Sequence, residues 1–227
     1  MKLKRDIVVN IFKLGSAGFM MSITNSIVTI VCNSTLSTYG GDIYVAIMTV
    51  INSIREIASL PGQSVANASQ PVLGYNYGAK EYKRVLSGIR FLTITSVSLM
   101  VVIWLVITIE PKFFISLFTT NEEVFINGVT AMRYYFMGFF FMAFQMSGQS
   151  VAVGLGKSKQ AVFFSIFRKV IIVAPLTVIL PMFIGINGVF IAEAISNLVG
   201  GLACYITMQL TVGKELRRKL NDQSSNI

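Results

Sequence analysis

The groups in this chain able to do chemistry are few, and most lie in apolar surroundings. Histidine is absent, which removes the commonest general base and the commonest metal ligand. Cys32 and Cys204 each sit inside an apolar run and read as small hydrophobes, with no disulfide or metal framework following from them. No nucleophile–base spacing and no glycine-rich phosphate loop occurs, so the sequence reads as a non-enzyme with no cofactor and no metal. What remains suits binding. Glu193 is the sharpest candidate, because a carboxylate at the centre of a membrane helix costs roughly 2.5–3.5 kcal/mol on insertion scales. It lies near the start of its span, where the cost is less, and three readings stay open: it binds a cation, it pairs with Arg168, or it sits close enough to the outer surface to stay wet. Arg55 and Glu56 are adjacent and so do not share a helix face. Asn25, Gln70 and Gln145 offer amides, and the aromatic run around Phe139 offers ring faces that attract lipophilic cations.

These groups need elements to position them, and the stretch from Pro61 to Lys80 organises those elements. It mixes Pro61, Pro71, Gly74 and Gly78 with Gln63, Asn67 and Gln70. Pro71 has no N–H to give to the carbonyl of Asn67, which is freed beside the amides. Pro61-Gly62 is expected to kink the helix, Gly74 and Gly78 to let the backbone turn, and Tyr75 and Tyr77 to sit at a headgroup boundary.

Of the 227 residues, 54% are hydrophobic and 13% charged, against about 25% charged in a soluble domain. Mean hydropathy is +0.69. Apolar runs of about 20 residues or more imply an all-α integral membrane protein. Six spans are expected: 11–36, 43–74 (too long for one straight crossing), 91–109, 124–153, 161–184 and 189–210. The first is long and lacks a small-x-small end, so it reads as a retained helix. Tyr39–Asp42 is a turn, residues 113–118 a short interfacial helix, and Pro175 a break in the fifth span. Ala192, Ser196 and Gly200 form a small-residue ridge for close helix contact. The domain organisation is a lead-in at 1–10, a six-helix lobe at 11–210, and a basic, polar tail at 211–227 with a disordered end. The +9 net charge concentrates at the start, the 80–90 loop, the 157–159 turn and the tail, which alternate onto one side. That pattern orients both termini to the cytoplasm of a cell membrane and speaks against nucleic acid as a partner.

Gln70-Pro71-Val-Leu-Gly74-Tyr75-Asn76-Tyr77-Gly78-Ala79-Lys80, at the inner end of the second span, resembles a segment of the carboxy-terminal six-helix lobe of the MATE (multidrug and toxic compound extrusion) family. Asn33-Ser34 before Gly40-Gly41, Gly154-x-Gly156-Lys157, Arg168 with Pro175, and Gly188–Glu193 are similar too. The resemblance implies two six-helix lobes exchanging Na+ or H+ for cationic or amphipathic drugs by alternating access. The partner is then a missing amino-terminal lobe or a second copy. Members that bind sodium through acids in the first and fourth helices of this lobe have no counterpart here, since neither the first span nor 132–146 carries an acid. The expected cavity residues are Asn25, Gln70, Phe139, Gln145 and Glu193, with Pro61, Pro71, Gly74, Gly78 and Pro175 as hinges. Two rival readings stand beside this one. A lipid-linked oligosaccharide flippase would hold pyrophosphate with Arg55, Arg133 and Arg168. A truncated membrane subunit would not transport at all.

Overall fold

The computed structural model describes residues 5–224, with side chains at 19, 22–157 and 159–223. The lead-in lysines Lys2 and Lys4, the side chains of Gly15–Gly18 and the chain end at 225–227 lie outside the described residues. Among those described, the regular structure is helical throughout.

The first helical element, Arg5–Gly78, departs from helical dihedrals at Gly41 (φ 71°, ψ −171°). A positive φ of this kind suits glycine, which has no Cβ to clash. Asn25 and Gln63 line one cavity. A straight helix would hold them about 57 Å apart at 1.5 Å per residue, so the chain reverses at Gly41 into α1 (5–40) and α2 (42–78). α3 is Tyr82–Ile109, α4 is Pro111–Ser116 and α5 is Glu122–Phe136. A tight 3-10 turn at Phe139–Phe141 leads into α6, Met142–Gly154. α7 joins Ser158–Ile166, a widened π stretch at Phe167–Val173, and Ala174–Ile184. α8 is Asn187–Met208, followed by a second π turn, Gln209–Gly213, and α9, Lys214–Ser224. Ser22–Gly78, Tyr82–Ile109, Lys159–Ile184 and Asn187–Gln223 are long and apolar enough to cross a membrane, and α5 with α6, bent by 41°, makes a fifth. The reversal at Gly41 divides the first of these in two.

Several elements differ from the sequence expectation. α3 begins at Tyr82, not at the end of a basic loop. Val85, Ile89 and Leu92 are buried while Lys83, Arg84 and Arg90 are exposed, so the basic segment is an amphipathic first half of the helix. Pro61 and Pro71 lie inside α2 without a dihedral break. Gly62 instead lets Met100 approach, its sulfur 3.0 Å from where a Cβ would sit. Gly74 is also a packing glycine: a Cβ there would stand 2.8 Å from the carbonyl oxygen of Gly154, and one on Gly154 would stand 2.9 Å from that of Gln70. α2 and α6 therefore cross backbone to backbone. The turn out of α2 uses Lys80, with φ 61°, and neither Gly74 nor Gly78 has a positive φ.

The tail is not loose through Ser224. Leu216 is fully buried in a core with Leu73, Val85, Leu92 and Val212. Lys157 and Lys219 both pair with Glu215, the latter at 2.8 Å. The Tyr77 hydroxyl donates to Glu215 at 3.2 Å and accepts from Lys219 at 2.9 Å. The amide of Gln223 donates to the Lys80 carbonyl at 3.1 Å. The hydrogen bond from Lys157, then that from Lys219, hold the Glu215 carboxyl down at about 2 from an ordinary 4.5. Three basic segments thus gather at one end of the bundle. A second apolar core, with Leu36, Ile47, Ile51, Phe136 and Phe190, fills the end near the Gly41 reversal. Phe19, Phe91, Ile109 and Phe183 are exposed outside, as lipid contact allows.

Candidate functional site

Between these ends lies a cavity of about 460 Å³ whose walls come from α1, α2, α5, α6, α7 and α8. α1 contributes Asn25 and Asn33, and α2 contributes Asn52, Arg55 and Gln63. Tyr135 of α5 and Gln145 and Gln149 of α6 form another side. Arg168 and Lys169 of α7 face Glu193 of α8.

Arg168 anchors the site and is only 4% exposed. Its Nε donates to the Ser196 hydroxyl at 3.0 Å, one terminal nitrogen to Gln145 Oε1 at 2.5 Å, and the other to Glu193 Oε1. Its aliphatic stem lies in the slot left by Gly200, where a Cβ would stand 2.8 Å from Arg168 Cγ. The small-residue ridge of α8 therefore beds an arginine as well as a helix. Lys169 Nζ also reaches Glu193 Oε1, at 3.3 Å. Both cations meet one carboxylate because they sit on the π stretch. Ala174 N–H bonds back five residues to the Lys169 carbonyl, and the wider turn reduces the angle between consecutive side chains. Such π segments recur at functional sites. Pro175, which lacks an N–H, follows immediately and is exposed.

The bend between α5 and α6 sets the opposite wall. Gly138 lets α5 touch α8: a Cβ there would stand 2.7 Å from the carbonyl oxygen of Ala194. The 3-10 turn then drives Phe139 inward against Phe136, with ring centroids 4.8 Å apart. Phe139 is fully buried in the apolar core, away from the cavity lining. Gln70 is absent from that lining as well; its backbone meets Gly154 and its amide donates to Asn67 Oδ1 at 3.4 Å. Asn25, Gln145 and Glu193 do line the cavity, and Arg168 and Glu193 form an ion pair. Arg55 lines it while neighbouring Glu56 is exposed; Arg133 is exposed and outside the lining.

Sequence reasoning overlooked Lys169, Asn52 and Tyr135 as site residues. Tyr135 OH donates to Asn52 Oδ1 at 3.4 Å. Asn52 stands three residues before Arg55, and that spacing places both on one helix face. Lys169 carried no such signal, because a regular helix turns it away from Arg168. Among the residues lining the cavity, Arg55, Arg168 and Lys169 are cationic and Glu193 alone is anionic.

A family model described as MatE matches residues 18–179. No curated protein matches the chain by sequence. Solved structures of similar fold include an outward-facing multidrug resistance MATE family transporter of the MOP superfamily. It superposes with a TM-score of 0.88 at 20% identity, over 96% of this chain and 49% of that one. An inward-facing MATE family structure superposes with a TM-score of 0.85 at 18% identity, over 96% and 50%. A MOP superfamily transporter from Pyrococcus furiosus, described as having a binding pocket of reversed polarity that suggests a different function, gives 0.88 at 20%, over 95% and 49%. The chain spans about half the length of the structures it matches.

Proposed function

The chain belongs to the MatE family, and from that premise we propose that it forms one lobe of a membrane transporter that moves small amphipathic molecules by alternating access. The observation that carries the reading is a polar, charged cavity enclosed by apolar helices. Ionisable groups in such a place are read by default as marking a substrate or ion path, beside whatever structural pairing they make. Rigid-body rocking is the motion the fold supports, since the same six-helix arrangement resembles both outward-facing and inward-facing structures. A second lobe, either a missing amino-terminal one or a second copy, closes the other half of the path.

Drug efflux against a Na+ or H+ gradient is the activity that fits this arrangement. Glu193 is a poor ligand for the coupling cation while Arg168 and Lys169 both hold it. The ion then binds in the opposite lobe. Residence in the cell membrane with both termini in the cytoplasm is supported by the basic segments gathered around Tyr77, Lys157 and Lys219 at one end. The test is flux in proteoliposomes containing the full chain, loaded with either ethidium or carboxyfluorescein. An imposed Na+ or pH gradient should drive movement of at least one dye. Correctly folded, self-associated protein that moves neither dye under either gradient contradicts the reading in which a second copy closes the path.

A further inference from the structure

We propose that the cavity binds an anionic group of its cargo, a carboxylate or a phosphate, between Arg55 and Lys169. The inference rests on the transporter reading only for the word cargo; the anion site stands on its own geometry. Charge balance is the first argument. Three cationic side chains and one carboxylate line the space, which leaves an excess of two positive charges inside an apolar bundle. Uncompensated charge in low dielectric calls for a counter-charge.

The hydrogen bonds then say where the counter-charge goes. Arg168 is engaged at every nitrogen: Ser196, Gln145 and Glu193 take three of its five N–H groups, and its stem fills the Gly200 slot. Glu193 is shared by Arg168 and Lys169. The two cations left with capacity are Arg55 and Lys169. Arg55 Nε is buried with no hydrogen-bond partner among the described residues. Lys169 is tied by one 3.3 Å contact, and its side chain keeps 18% exposure. An oxyanion between them would neutralise the excess, and charge-assisted bonds of this kind are the strong ones.

A cationic cargo meets the opposite conditions. It would enter a field of its own sign, it would find the one carboxylate occupied, and the Phe139 ring face is turned into the core. A volume of about 460 Å³ falls in the range of organic-ligand pockets, so the anion is carried on a molecule and is more than a bare ion. Asn25 and Asn52 on the same walls supply neutral polar groups for the rest of it.

The test is titration calorimetry on the purified full chain in neutral detergent with three probes: citrate, inorganic pyrophosphate and tetraphenylphosphonium. Citrate binding would assign a carboxylate, and pyrophosphate binding a phosphate. Arg55→Gln and Lys169→Gln should each weaken the bound anion at least about tenfold, the size of one lost charged hydrogen bond. Arg55→Lys should retain most of the affinity, and Arg133→Gln, on the exposed side, all of it. If Arg55→Gln does not elute as folded protein, Lys169→Gln and Arg55→Lys decide. Binding of tetraphenylphosphonium without either anion overturns the proposal. So does folded protein that binds no anion, or anion binding indifferent to both substitutions. Loss of the anion site would leave alternating access standing with another cargo, and loss of two-sided access would leave the anion site standing.

Discussion

At the level of single residues, Glu193 holds the site together. Removing one partner of a buried pair leaves the other charge uncompensated and typically costs about 3–5 kcal/mol. Here two cations would be stranded, since Arg168 and Lys169 share the carboxylate. Glu193→Gln should therefore lower thermal stability in detergent strongly. Arg168→Met combined with Glu193→Leu should cost much less than the two single changes added together, and additive losses would show that the pair is not coupled. The pair was one of the readings the sequence left open, because each charge lay in an apolar run. Its dependence on Gln145, Ser196 and the empty flank of Gly200 was not legible there, since those contacts need three helices to meet.

At the scale of elements, the sequence showed the positions of the breaks better than their kind. Gly41 reverses the chain inside the turn that Tyr39–Asp42 suggested. Gly74 and Gly78 looked like turn glycines because Pro71 and two tyrosines surround them, yet helical hydrogen bonding continues and Gly74 is used for close approach to Gly154. Phe139 looked like a ring face for cations; a 3-10 turn, which composition does not reveal, aims it into the core. Gly138 fixes that bend, so Gly138→Val should push α5 off the Ala194 carbonyl. About 1–3 kcal/mol of destabilisation is expected, as for overpacking elsewhere, read as a lower melting temperature; an unchanged melting temperature would count against the close crossing. The α9 clasp is pH-sensitive in a definite direction. A carboxyl lowered from 4.5 to about 2 contributes stability that is complete above its unfolded value and is lost as pH falls through the folded one. A fluorophore pair reporting the distance from α9 to the α2–α3 turn should separate between pH 4.5 and about 2. In Glu215→Gln the distance should respond little to acid. A wild-type distance that stays constant on acidification would remove the clasp.

For the whole molecule, hydropathy was enough to indicate an all-α membrane bundle, because it is a property of long runs; the lobe came from the family resemblance. The cavity's charge balance was not readable. It depends on the π stretch that turns Lys169 inward and on the exposure of Glu56 and Arg133 outside. The central claim is that this cavity opens alternately to the two sides of the membrane. The most direct measurement places one cysteine in its wall, Gln149→Cys, in a Cys32→Ser, Cys204→Ser background, and labels it with a membrane-impermeant maleimide in right-side-out and inverted vesicles. Labelling from both sides, with each side shielded by the binding of cargo, is the predicted result. Labelling confined to one side, or absent from both in folded protein, would contradict alternating access.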